Sequence, residues 1–111
     1  MDEEKQLETV MEIIANAGEA KSMAMEAMAM ARRGELPQAE EMLARAEKSA
    51  NQAHCLHSDL LAYDANNGDL HINLLTVHAA DHLTSADVMT EMGHEMVGLY
   101  KTVNELKQEA N

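Results

Sequence analysis

Val77-His78-Ala79-Ala80-Asp81-His82-Leu83 brings two imidazoles and a carboxylate together in one short run. On a helix, His78 and His82 stand at i and i+4 with Asp81 at i+3, so all three project from one side. The surrounding apolar pattern puts them where Leu or Ile would ordinarily pack. Imidazole is a nucleophile and proton carrier near neutral pH. A His-x3-His pair is also a metal-ligating arrangement. Spacing alone leaves three readings open: a phosphoryl- or proton-transfer pair, a metal site, and two histidines satisfied in or near a core. The zinc-protease version fails at Ala79, where that chemistry requires a Glu beside the first His.

The other reactive side chains read more plainly. His54 and His57, spaced i and i+3, read as surface or structural residues, with approach to the helix-three site as the alternative. His71, past a turn, and His94, beside a polar helix face, have no evident partner in the sequence. Cys55 is the one cysteine, which excludes an intrachain disulfide and suits a reducing compartment; it reads as a small helix-face hydrophobe. Met23, Met25, Met28 and Met30 suggest copper handling by thioethers. Ten Met in a chain without Phe read more simply as core filler. Ser22, Ser49, Ser58 and Ser85 lack a nucleophile-elbow context, and no Gly-rich loop could cradle phosphates, which argues against a nucleotide-dependent kinase.

The elements that must position His78 follow from composition and punctuation. The 111 residues suit one domain, 46% apolar, with a core limited to Ala, Leu, Val, Ile and Met. That palette predicts an all-α fold. Gly34-Glu35-Leu36-Pro37 reads as a helix stop and restart, with Gly34 in the left-handed region and Pro37 in the next first turn. Asp64-Ala65-Asn66-Asn67-Gly68-Asp69 reads as a second turn. Three helices remain, at roughly 4–33, 37–64 and 71–109, and short connections make consecutive ones antiparallel. Helix one carries Leu7, Val10, Met11, Ile14, Ala17, Met25, Met28 and Ala31 as its apolar stripe. Gly18 inside it implies close approach of another helix. Helix two carries Ala39, Met42, Leu43, Ala46, Ala50, Ala53, Leu56, Leu60 and Leu61.

Helix three has two seams. Leu75, His78, His82, Ser85, Met89, Met92, Met96, Leu99, Val103 and Leu106 form one, expected to face the other helices and to be ordinary core beyond Ser85. Leu74, Val77, Asp81, Thr84 and Val88 form the other before it turns to Glu91 and Glu95. That second seam needs a different partner, and another copy of the chain is the simplest. Parallel copies around an axis would bring Asp81 carboxylates together, which requires a proton or a cation between them.

Net charge is −12, from 20 acidic and 8 basic residues. That argues against nucleic acid and anionic membranes and favours partners with basic contact surfaces. No apolar run reaches the roughly 18 residues of a membrane span, and Met1-Asp2-Glu3-Glu4 is not the start of a signal peptide. A cytoplasmic protein without direct membrane insertion is expected.

The whole chain resembles the lactose/cellobiose-type IIA component of the bacterial phosphoenolpyruvate-dependent sugar phosphotransferase system. His78-Ala79-Ala80-Asp81-His82-Leu83-Thr84 matches that family's His-(Ala/Gly)-Gln-Asp-His-Leu-Met segment. Ala17-Gly18-Glu19-Ala20-Lys21-Ser22, the Arg33-Gly34-Glu35-Leu36 turn and Ala53-His54 match three further stretches in order. The resemblance implies an antiparallel three-helix bundle assembled as a homotrimer through the third helix. It implies that His78 is phosphorylated by the histidine phosphocarrier protein and passes the group to a cysteine of the cognate IIB component during disaccharide uptake. His82 would support it. Asp81 would lie on the trimer axis and share a divalent cation, magnesium. Two departures, Ala80 for Gln and Thr84 for Met, bear on metal affinity and trimer stability. The competing expectation is a non-catalytic helical interaction module with structural or metal-bridging histidines. An acid-labile gain of phosphate lost in His78→Ala separates the two.

Overall fold

A computed structural model describes residues 1–110 and contains three helices: α1 Glu3–Arg32, α2 Leu36–Asn67 and α3 Leu74–Ala110. Local chemistry accounts for each end. Asp2 caps α1 by accepting the Lys5 N–H at 2.7 Å, and Glu3 and Glu4 complement the dipole of the first turn. At the other end Gly34 adopts φ +84°, its N–H reaching the Ala31 carbonyl while the Glu35 N–H reaches that of Met30, a Schellman closure. Pro37 then sits in the first turn of α2.

The second break falls later than composition suggests. Asp64–Asn67 are helical, and α2 stops only at Gly68, whose φ of +69° turns the chain and whose N–H closes on Asp64. A left-handed glycine, not the poor helix propensity before it, ends the element. The start of α3 is also later, at Leu74 instead of 71, because the backbone of His71 is engaged elsewhere.

The helices form a rod 63 Å long and 19 Å across. Consecutive helices are antiparallel, which makes α1 and α3 parallel. The core is built mostly from alanine, which supplies eleven of its seventeen buried apolar residues. One cluster gathers Val10, Ile13, Leu60, Ala79 and Leu83; the other gathers Ala24, Ala27, Leu43, Ala46 and Val97. In the second cluster Gly93 lets three helices meet. A Cβ there would lie 2.8 Å from Leu43 Cδ1 and 3.7 Å from Ala24 Cβ.

Several expectations about packing are corrected. The buried seam of α3 is Ala79, Leu83, Ala86, Thr90, Gly93 and Val97, one residue later than the seam expected to be core. Small residues fill the narrow space between α1 and α2, and the larger ones flank it. Met92, Leu99 and Leu106 are more than half exposed. On α1, Leu7, Met11 and Met25 face outward while Gln6, Thr9, Ile13, Ala20 and Ala24 are buried. None of the Met residues is fully buried, so they are not core filler; Met23, Met30, Met42 and Met89 pack only around the edge. Gly18 has no neighbour within 4 Å of a built Cβ, so no helix approaches it closely.

Candidate functional site

Residues that never touch His78 hold the helix that carries it. Gln6, 8% exposed, clamps the connection before α3: its Nε2 donates to the His71 carbonyl at 2.7 Å, and its Oε1 accepts the His71 N–H at 3.2 Å. Asn73 then caps α3. Its Oδ1 accepts the Thr76 N–H at 3.1 Å, and its own N–H donates to Thr76 Oγ1 at 2.9 Å. This is a reciprocal capping box with Thr at the third position. Ala79, 1% exposed, locks the next turn against the core. The start of α1 and the cap of α3 together fix the second turn of α3, and His78 stands on it.

His78 is exposed and His82 half-buried. They therefore flank the core and do not occupy core positions. Their ring centroids lie 4.4 Å apart with planes at 74°, an edge-to-face pair. His82 Nδ1 is buried without a hydrogen-bond partner. A buried orphan N–H is the rarer and costlier case. The tautomer that avoids this cost carries its proton on Nε2.

Asp81 is exposed on the outward side of α3. Around it the second seam is uncovered: Leu74 is 84% exposed, and Val77 and Val88 are both more than half exposed. Thr84 turns its hydroxyl back to the Ala80 carbonyl at 3.1 Å, which keeps it from adding an unpaired donor to that seam. Among the described residues no three His, Cys, Asp or Glu side chains converge as a metal site. Asp81 offers one hard oxygen donor group, which suits magnesium or calcium but cannot hold either alone.

The remaining histidines divide. His54 Nε2 contacts both carboxylate oxygens of Asp87 at 2.8 Å, and His94 Nε2 bonds to Glu47 Oε1. His94 thus has a partner where the sequence offered none, and Asp87 and Glu47 were missed altogether. These pairs are 33 and 47 residues apart, and no helical periodicity links them. Cys55 is exposed. Two concavities do not include His78 in their lining. An open groove of about 800 Å³ is lined by Glu12, Lys48 and Cys55 among others, and a cavity of about 280 Å³ lies at the rod's tip beside Gln6 and His71. No helix among the described residues is long and apolar enough to cross a membrane.

Residues 8–101 match the family model described as PTS system, lactose/cellobiose specific IIA subunit. The chain is 33% identical to the N,N'-diacetylchitobiose-specific EIIA component of Escherichia coli K12 over 85% of this chain and 81% of that one. The crystal structure of the cellobiose-specific enzyme IIA from Bacillus anthracis superposes with a TM-score of 0.87 at 31% identity, covering 95% of this chain and 94% of that one. The chitobiose IIA of Escherichia coli, in its solution complex with HPr, superposes with a TM-score of 0.78 at 30% identity, over 94% and 99% of the two chains.

Proposed function

The chain belongs to the lactose/cellobiose-specific IIA family of the phosphotransferase system, and on that premise we propose that it carries a phosphoryl group on His78. The group comes from the histidine phosphocarrier protein and leaves to a cysteine of the cognate IIB component, in the cytoplasm, during disaccharide uptake. The observation that carries this reading is an exposed imidazole set on the second turn of α3 with a second imidazole edge-on to it.

Such transfer asks little covalent machinery of the protein. The donor's P–N bond breaks as a His78 ring nitrogen offers its lone pair to the same phosphorus, in line with the leaving nitrogen. The other His78 nitrogen keeps its proton. His82 Nε2–H then serves as a neutral donor near the arriving group, in a supporting role. The return step reverses this geometry with a thiolate as acceptor. No turnover of a free small molecule is expected.

The uncovered seam of Leu74, Val77 and Val88 supports assembly as a homotrimer through α3. On that axis three copies of Asp81 would share a divalent cation, magnesium by its preference for carboxylate oxygen. When bound, the ion supplies only charge neutralisation between the carboxylates.

The test is phosphoryl transfer from phosphoenolpyruvate through the two general phosphotransferase proteins, read by intact mass at neutral pH. One phosphate, ~80 Da, is expected in the parent chain and in His54→Ala, and none in His78→Ala. No gain in a folded assembly would refute the carrier role and leave the interaction-module reading.

A further inference from the structure

Every ion pair that joins one helix to another among the described residues lies on a single seam, between α2 and α3. Its rungs step by seven residues in opposite directions: His54 with Asp87, Glu47 with His94, Glu40 with Lys101. Seven residues are two helical turns, so antiparallel helices present these pairs along one face, roughly 10 Å apart. His54 Nε2 is 2.8 Å from both Asp87 oxygens, and Lys101 Nζ is 3.7 Å from Glu40 Oε1. Three opposite-charge rungs form only in this register. A slip of one heptad would set Glu47 against Asp87, or His54 against His94.

Two of the three cationic partners are histidines. A carboxylate binds an imidazolium as an ion pair but a neutral imidazole only as a hydrogen bond. His54 meets Asp87 of α3; by helix spacing Glu91 lies one turn on from Asp87, and His57 one turn on from His54. Around His94, α2 presents Glu47, and its own helix presents Glu91. No α1 side chain bonds either ring. The one side chain bonded to each histidine is thus a carboxylate of the opposing helix, with Lys48 lining the same groove as Glu47.

We propose that the α2–α3 seam is a latch tightened by protons, its two histidine rungs closing as pH falls while the lysine rung holds register at any pH. The two rungs are ion pairs where imidazole is charged and hydrogen bonds where it is neutral, so the seam is tighter on the acid side of the imidazole range. Aspartate and glutamate stay ionised down to about pH 5, so the latch has a window between their titration and that of imidazole.

The experiment compares thermal unfolding of the full chain at pH 6 and pH 8, at one protein concentration, for the parent, His54→Gln/His94→Gln and Lys101→Gln. The other four histidines and the general charge repulsion respond alike in all three chains and cancel. The parent should gain ~2–8 °C more than the double variant on acidification, as two exposed ion pairs allow in a domain of this size. Lys101→Gln should keep the parent's pH response. Amide exchange, corrected for its intrinsic pH dependence, should slow on acidification over residues 45–58 in the parent and not in the double variant. Equal pH responses in the parent and the double variant would overturn the proposal, as would a parent response that vanishes in Lys101→Gln.

Discussion

Gly93→Ala and Gly18→Ala make the same chemical change on two helices and should move stability in opposite directions. Each replaces a helix-interior glycine, so each gains about 1 kcal/mol of helix propensity. At Gly18 nothing lies within 4 Å of the new methyl, and the gain stands alone. At Gly93 the methyl would sit 2.8 Å from Leu43 Cδ1, with Ala24 Cβ at 3.7 Å and the Ala24 carbonyl at 3.8 Å behind it. Leu43 is only 4% exposed, so its tip has little room to retreat. Overpacking of that kind costs ~1–3 kcal/mol. Gly93→Ala should therefore range from neutral to ~2 kcal/mol destabilising, and the two variants should differ by ~1–3 kcal/mol. The assay is denaturant unfolding followed by helical circular dichroism at matched protein concentrations, since assembly shifts the midpoint. A double-mutant cycle with Leu43→Ala, which removes the clashing atom, should recover most of the Gly93→Ala penalty. If Gly93→Ala stabilises as much as Gly18→Ala, the three-helix contact at Gly93 is not tight and this reasoning fails.

Three further outcomes are expected. Gln6→Ala strips the partner from both backbone groups of His71 and should cost ~1–3 kcal/mol, with faster amide exchange at His71; unchanged exchange there would refute the clamp. Val88→Glu places a carboxylate on the exposed seam one heptad beyond Asp81 and should give monomers of unchanged helicity by analytical ultracentrifugation; an intact trimer would remove that seam from the interface. The Asp69 carboxylate, accepting from the Tyr63 hydroxyl, and then burial, hold that phenol above its ordinary 10.0. The folded state thus keeps the proton longer, and the stability it brings is present below pH 10 and lost above it. Tyr63→Phe should lose less stability than the parent between pH 9 and pH 11 in thermal unfolding, and equal losses would refute the pairing.

What the sequence made legible was whatever rests on local chemistry. Gly34 and Pro37 announce the first turn. The second seam of α3 was separable because Leu74, Val77 and Val88 share a face that three helices cannot all cover. The buried register was misread by one residue for a physical reason. Hydropathy weights Leu and Met above Ala, yet closely packed helices put Ala and Gly at the point of contact and leave larger side chains at its edges. The Asn73-x-x-Thr76 cap was present as a signal and went unread because Thr is a less usual third-position partner than Glu or Gln. At the site, i, i+4 spacing sets the rings of His78 and His82 edge to face, while Asp81, expected on the same side, stands exposed on the outward seam. The contacts of Gln6 with His71, His54 with Asp87 and Glu47 with His94 cross 65, 33 and 47 residues. One sequence carries no period that pairs such positions; only the packed bundle does.

The alanine core makes this bundle thin, and its thinness decides what kind of site it can carry. His78 stands on the outer surface of a rod 19 Å across and lines neither of the concavities described above. In-line transfer requires the phosphorus to be held at a ring nitrogen. In the proposed carrier role another protein does the holding, and what remains for this chain is to present the ring at a fixed angle. That task falls to the first two turns of α3, hence to Asn73 and Thr76, which touch neither histidine. Asn73→Ala leaves every reactive group in place but removes a cap contributing ~1 kcal/mol, which shifts the capped-to-frayed balance of the first turn about fivefold. Amide exchange at Thr76 and Val77 should quicken by about that factor, and the rate of phosphoryl gain at His78 should fall while its final extent stays whole. Quickened exchange with an unchanged transfer rate would mean that the ring's orientation is set by its protein partners and not by the helix beneath it.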